Sequence, residues 1–196
     1  MLSDPVLQWT LTLAFSATAA YATLRLVTDR KPLLIVGNAL HLVMSLVMIA
    51  MCWPWWTVLP SLPQTLFFSA GTAWFAAVAL LQTRRRITRA AVGGHSAWHQ
   101  VAHAVMMLAM VWTLLAMPSG TDGTTHDHHH GGLEPWAALT GVAVTAALTT
   151  SGVVFLVELV RCVRGRSAWL GHTGDVASGA LMSLGMAAMC WPMITG

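Results

Sequence analysis

The stretch HLVMSLVMIAMCWP, residues 41–54, is apolar enough for a lipid bilayer but carries one histidine and three methionines. His41, Met44 and Met48 share one helical face, because residues three and four apart lie side by side on a helix. Methionine commonly fills irregular gaps in an apolar core. Its thioether is also a soft, neutral ligand that favours Cu(I) over harder ions. The stretch by itself therefore leaves packing and metal binding open.

The composition of the whole chain predicts a membrane protein. Of the 196 residues, 56% are hydrophobic and 9% are charged, whereas soluble domains carry about 25% charged residues. The mean hydropathy is +0.66. Three cysteines and the absence of a CxxC motif argue against a disulfide framework. We expect an all-α, polytopic protein surrounded by the lipid bilayer of the plasma membrane.

Six apolar runs approach the length of about 20 residues that a transmembrane helix needs. They cover residues 5–27, 32–53, 65–82, 97–117, 136–160 and 176–193. The third and the sixth are near the lower limit. The first has no basic residues before it and is interpreted as a retained span rather than a signal peptide.

The ten basic residues predict how these spans are oriented. All of them lie at the turns that join spans one and two, three and four, or five and six: Arg25, Arg30, Lys31, Arg84, Arg85, Arg86, Arg89, Arg161, Arg164 and Arg166. Cytoplasmic loops of membrane proteins are rich in Lys and Arg. The three basic loops are therefore predicted in the cytoplasm and both termini outside. Each basic stretch simply joins two spans, so no nucleic-acid partner is expected.

This layout is a helical hairpin used three times within a single membrane domain, residues 1–196. The units cover approximately residues 1–56, 62–118 and 134–196, with a His-rich external loop at 118–135. The returning spans share a motif: HxxMxxxM begins at His41 and again at His103, while span six keeps MxxxM and has Gly179 instead of His. The methionines of the three motifs are Met44, Met48, Met106, Met110, Met182 and Met186.

Three such helices around one axis would stack two methionine rings about 6 Å apart. His41 and His103 would lie on the cytoplasmic side of the rings. Weak binding at several successive sites suits passage of an ion. The pattern therefore predicts a Cu(I)-binding protein that acts in copper uptake or delivery. A copper chaperone or a copper enzyme would be its partner.

Further histidines extend this hypothesis on both sides of the membrane. His95 and His99 precede His103 at intervals of one turn, and with His172 and Asp175 they are candidate inner sites. Glu158 is interpreted as an ordinary i,i+3 pair with Arg161 or as a snorkelling side chain rather than as a proton relay. Candidate outer ligands are the histidines of the external loop and the methionines of the matching ends MIAMCWP and MAAMCWP: His126, His128, His129, His130, Met51 and Met189.

Two resemblances accompany these patterns. The whole chain resembles a family of small, uncharacterised actinobacterial membrane proteins. The MxxxM layout is similar to that of the Ctr-type copper transporters, in which each of three subunits places MxxxM near the outer end of a span running outwards. That resemblance implies a Cu(I) filter made of methionine triads. This chain differs in having two spans per unit rather than three.

Two other functions remain open at this point. His41 and His103 lie at similar depth on two helices and would suit the axial positions of haem b in a redox protein. The methionines would otherwise be packing in a non-catalytic subunit of a membrane complex. The sequence shows no nucleophile–base pair, no paired carboxylates and no nucleotide motif, so an enzyme is not expected. It carries no indication of oligomeric state.

Overall fold

The computed structural model describes residues 5–54, 56, 60–116, 135–165 and 169–195. These residues form helices and no strand, which confirms the all-α prediction for the described part of the chain. The long helices are α1 (Pro5–Thr28), α2 (Pro32–Met51), α3 (Ser61–Thr83), α4 (Ala97–Ala116), α5 (Pro135–Arg164) and α6 (Gly174–Thr195). A 3-10 turn at Arg89–Val92 precedes α4, and a π-helical turn at Trp169–Thr173 precedes α6.

Five of these helices, α1 to α5, are long and apolar enough to cross a membrane. The described part of α6 is not among them. It begins with Gly174 and Asp175 and contains further glycines and serines, which lower its mean hydropathy. The prediction of a membrane protein is thus supported by five helices, and the sixth span stays a prediction.

The helices pack first as sequential pairs: α1 with α2, α3 with α4, and α5 with α6. Helix α6 also packs against α1 and α4, and α4 packs against α5. Of the apolar stretch of α4, 61% is buried, against 28% or less in the other four membrane-length helices. Helix α4 is therefore the most buried of the five membrane-length helices.

The core is rich in sulfur. All six methionines of the repeated motif are at most 2% exposed, and they pack in one cluster with large aromatic side chains: Phe15, Phe68, Phe75 and Phe155. The motif faces of α2, α4 and α6 are therefore all turned inwards. Apolar side chains such as Leu13 on α1 and Leu139 on α5 are exposed instead, as expected for surfaces that contact lipid.

Glycines allow close approach between helices, as small residues commonly do in membranes. A Cβ atom on Gly185 of α6 would lie 2.7 Å from Cζ of Phe15 on α1. A Cβ on Gly179, the residue that replaces the motif histidine, would lie 3.1 Å from the ring of Phe155. A histidine at this position would therefore overlap the ring of Phe155 unless that ring moved.

The contact between Gly185 and Phe15 makes a testable prediction about stability. We expect Gly185→Ala to lower the free energy of unfolding by roughly 1–3 kcal/mol, because the new methyl group overpacks a fully buried ring. Thermal unfolding in detergent measures the change. The matched control is Gly37→Ala on α2, where the nearest atom would be 3.9 Å away. Equal stability of the two variants would contradict this account of the α1–α6 interface.

Candidate metal centre

Four histidine rings form a continuous column through the protein. The ring centroids are 4.2 Å apart for His95 and His99, 4.7 Å for His99 and His103, and 4.2 Å for His103 and His41. His99 and His103 are on α4, and His41 is on α2. His95 directly follows two glycines with φ of +71° and +89°, values that favour glycine. This glycine turn places His95 over His99 with the rings 15° from parallel.

The column ends at the methionine core. His41 Nδ1 lies 3.2 Å from Met182 Sδ, and the Oγ of Ser45 lies 3.9 Å from the same sulfur. Ser183 Oγ donates a hydrogen bond of 3.5 Å to Met106 Sδ. The sulfur of Met182 on α6 therefore faces α2, and the sulfur of Met106 on α4 faces α6. Donor atoms from three helices meet at this level.

The structure places the other predicted ligands as follows. Met44, Met48, Met110 and Met186 are buried in the same core cluster. Met51 and Met189 are partly buried and pack against its edge. The four histidines of the external loop lie outside the described residues, so their predicted role stays a prediction.

A polar cavity of about 60 Å³ lies beside the histidine column. Its polar lining comes from α1, α2, α4, α6 and the segment before α4: Tyr21, Arg25, Asn38, His41, His95, His99, Gln100, His103, Asp175 and Ser178. One water needs roughly 10–15 Å³ of such space. The cavity therefore has room for a few waters or one ion. Pockets for larger organic ligands measure about 300–1,000 Å³.

Asp175 is the centre of a hydrogen-bond network at the basic-loop end of this cavity. Its carboxylate accepts hydrogen bonds from Tyr21 OH at 2.8 Å and pairs with His95 Nε2 at 3.0 Å. Arg25 Nε lies 3.4 Å from it and also pairs with Asp29 at 3.3 Å through NH1. Asp175 therefore joins α1, the segment before α4 and α6, and it fixes the orientation of His95.

Two imidazole nitrogens in the column are buried without a hydrogen-bond partner: His95 Nδ1 and His103 Nδ1. Buried polar atoms nearly always have a partner, and the cavity that His95 and His103 line has room for a water or an ion in that role. A neutral imidazole that carries its proton on Nε2 has a free lone pair on Nδ1, which can bind a metal. Both atoms are therefore candidate ligands.

A conventional site of hard or borderline ligands is not present in the part of the chain that the structure describes. There, no three His, Cys, Asp or Glu side chains are arranged to hold one metal ion. Thioethers are not among these four ligand types. A metal bound among these residues would depend on methionine sulfur or on pairs of imidazoles.

Sequence reasoning missed three participants. Glu158 pairs with His172 at 2.9 Å, a partner other than the Arg161 predicted from the sequence. Tyr21 lies in a span interpreted as scaffold, although it is the only tyrosine of the chain. Phe155 contacts the rings of His99 and His103, with centroids 4.9 and 6.1 Å away. The single tyrosine was a usable signal, whereas the partners of Glu158 and Phe155 follow from tertiary packing.

Fold and site thus define an all-helical protein with five membrane-length helices and a buried core of histidine and methionine. Residues 33–193 match the family described as a domain of unknown function (DUF5134), and the chain belongs to this family. The predicted resemblance to an uncharacterised actinobacterial family is thereby confirmed. No solved structure matches the chain.

Curated relatives come from mycobacteria. The uncharacterized proteins Rv0970 of Mycobacterium tuberculosis strain H37Rv and Mb0995 of Mycobacterium bovis are each similar to this chain, with 36% identity over 118 residues. The match covers 60% of this chain and 52% of each relative. The chain thus spans about half the length of these relatives. The similarity to Ctr-type transporters is carried by the MxxxM pattern alone and stays a prediction.

The network around Asp175 predicts the effect of removing one hydroxyl. Tyr21→Phe removes the donor of a partly buried hydrogen bond to a charged group, and such bonds contribute about 1.5–3 kcal/mol. We expect the free energy of unfolding to fall by that amount or somewhat less, because the bond is only partly buried. Thermal unfolding in detergent measures the change. The control is Thr150→Val, which removes an exposed hydroxyl bonded only within its own helix. Wild-type stability of Tyr21→Phe would contradict the anchoring role of Asp175.

Proposed function

We propose that this protein binds Cu(I) inside the membrane and acts in copper uptake or delivery. One observation carries the proposal: imidazole and thioether donors from α2, α4 and α6 converge at the end of the histidine column. His41 Nδ1 is 3.2 Å from Met182 Sδ, and the rings of His41 and His103 are 4.2 Å apart. Soft thioethers combined with imidazole favour copper among the common transition metals.

The proposed site differs from a filter made of sulfur alone. Met44, Met106 and Met182 supply one level of donors, with His41 and His103 beside them on the cavity side. Met48, Met110 and Met186 supply a second level one turn further along the three helices. Thioethers bind without losing a proton, unlike thiols. An ion can therefore move between the levels without proton release at each step.

Two features favour copper over haem b at this site. The rings of His41 and His103 are 81° apart in orientation and in direct contact, which leaves no space for a porphyrin between them. The adjoining cavity of about 60 Å³ suits an ion and is far smaller than pockets for organic ligands of that size. Packing alone accounts for buried methionines, whereas the two imidazole nitrogens without a protein partner are additional donors for an ion or a water.

We also propose the arrangement of this site in the plasma membrane. The pairs α1/α2, α3/α4 and α5/α6 would be three hairpin units, with α6 as a sixth span supported by its packing against α1, α4 and α5. The basic loops would face the cytoplasm and the His-rich loop would collect metal outside. The histidine column would then lie on the cytoplasmic side of the methionines.

Cu(I) affinity of single methionine variants tests the core site. In a background with the four loop histidines replaced by Ser, we expect Met106→Leu to weaken Cu(I) binding at least about tenfold, or about 1.4 kcal/mol. Competition with a chromogenic Cu(I) chelator measures the affinity. The leucine keeps the apolar volume and removes the sulfur donor, so the fold should be retained.

The neighbouring methionine supplies the control. Met107 is also fully buried on α4, but it packs against α3 beside Gly71. We expect Met107→Leu to bind Cu(I) like the background protein. Equal binding by both variants would overturn the methionine site. A Soret band in the purified protein would favour haem b instead, and absence of both copper and haem would favour an accessory subunit.

The orientation makes a separate prediction about labelling. In a variant without the three native cysteines, we expect Arg85→Cys to resist a membrane-impermeant maleimide in intact cells and to react in inverted vesicles. Leu62→Cys, near the beginning of α3 and exposed, should show the opposite behaviour. A reversed pattern would place the basic loops outside and contradict the proposed direction of the histidine column.

A further inference from the structure

Two carboxylate–imidazole pairs face each other at the basic-loop end of the protein. His95 Nε2 lies 3.0 Å from Asp175 Oδ2, and His172 Nε2 lies 2.9 Å from Glu158 Oε1. The two imidazole rings are neighbours, with centroids 5.3 Å apart. They come from different parts of the fold, since His95 precedes α4, His172 precedes α6 and Glu158 is on α5.

Carboxylates bonded to one ring nitrogen are typical of histidines that bind metals through the other nitrogen. The carboxylate keeps the proton on Nε2 and leaves a lone pair on Nδ1. His95 meets this description closely, because the residue is 5% exposed and its Nδ1 has no hydrogen-bond partner. A buried lone pair with no donor nearby is suited to a cation.

The spacing of the rings fits one ion between them. Metal–imidazole bonds measure about 2.0–2.1 Å, so two opposed nitrogens lie about 4 Å apart and their ring centres about 6 Å apart. The observed 5.3 Å corresponds to an ion that lies off the line between the rings, with an angle of roughly 120° at the metal for bonds of this length. His99 is stacked on His95, with the ring planes 15° apart, and so lies beside this space rather than pointing into it.

Cu(I) accepts as few as two or three ligands, so at this bent angle the two imidazoles leave one position open to a water molecule or to a ligand that exchanges. Two imidazoles are too few for Zn²⁺, which takes at least three protein ligands, and no third His, Cys, Asp or Glu completes such a site within the described ranges. The pair also combines depth with access. The side chain of His95 is 7% exposed, while those of His172 and Glu158 are 41% and 37% exposed.

We infer that His95 and His172 form a second Cu(I) site at the cytoplasmic mouth, where copper is exchanged with the aqueous phase. Asp175 and Glu158 are positioning residues that hold the two imidazoles in the metal-binding tautomer. The inference rests on the proposed function for the identity of the ion. The mouth site differs from the core site in containing no sulfur ligand, and Glu158 acts there by positioning His172.

The test uses the full chain without the loop histidines and with Met44, Met106 and Met182 replaced by Leu. The protein is loaded with Cu(I) alone, the copper is counted, and X-ray absorption identifies its neighbours. We expect copper with nitrogen neighbours, of which one ion per protein is lost in His172→Ala, beside any sulfur-bound copper held by the remaining Met48, Met110 and Met186. Glu158→Gln should weaken that ion about ten- to a hundredfold, as loss of a carboxylate partner typically does. The control is Asp29→Asn, an acid paired with Arg25 and Asn38.

A second measurement keeps the test decisive if the triple Leu variant unfolds. With the methionines intact, His172→Ala should lower the copper count by one and leave the sulfur-bound copper unchanged. Retention of all nitrogen-bound copper in His172→Ala would overturn the mouth site while leaving the core site intact. Loss of only the sulfur-bound copper in the methionine variants would support the core site. Nitrogen-bound copper that remains in those variants and is lost in His172→Ala would independently support the mouth site.

Discussion

The carboxylate of Asp175 is the constraint on which the rest of this structure depends. An acidic side chain among apolar helices is costly unless it is paired, and such residues usually face the interior of a bundle. Tyr21, His95 and Arg25 satisfy this one carboxylate from two other parts of the fold. Gly174 makes this pairing possible, because a Cβ atom there would lie 2.6 Å from the Tyr21 ring. The start of α6 is thus fixed against α1 and the segment before α4.

The histidine column follows from that anchoring. Once His95 is held by Asp175, stacking aligns His99 beneath it, and His103 and His41 continue the contact into the core. Helix α4 can carry these polar rings because it is the most enclosed of the membrane-length helices. On the same helix, the sulfur of Met106 is turned towards α6, where Ser183 donates a hydrogen bond to it. Polar and soft donors therefore occur in sequence along one path, with imidazoles nearer the basic loops and thioethers beyond them.

Local patterns predicted the parts of this structure that depend on local chemistry. Hydropathy located all six long helices, and the HxxMxxxM spacing indicated the inward faces of α2 and α4. The partners of these faces depend on how distant segments pack, so Tyr21, 154 residues from Asp175, could not be assigned to it. The sequence predicts Arg161 as the partner of Glu158 because the two are close in the chain. The contact with His172 depends on how α5 packs against the segment before α6 and could not be predicted. The sequence shows only that Gly179 replaces the motif histidine, whereas the structure shows that the ring of Phe155 lies beside this position.

The segment that matches the family contains the proposed copper ligands but not all of the residues that hold them in position. Residues 33–193 include every donor of the proposed core and both carboxylate–imidazole pairs, whereas Tyr21 and Arg25 precede that region. The proposed copper chemistry therefore belongs to the segment shared with the family, and the α1 contacts to Asp175 are a separate structural support. A relative could replace Tyr21 and still position a histidine through its own carboxylate. It could not lose the methionine sulfurs of α4 and α6 and keep a soft-metal core. The sulfurs and the two imidazole pairs are consequently the features by which the hypothesis can be carried to other members.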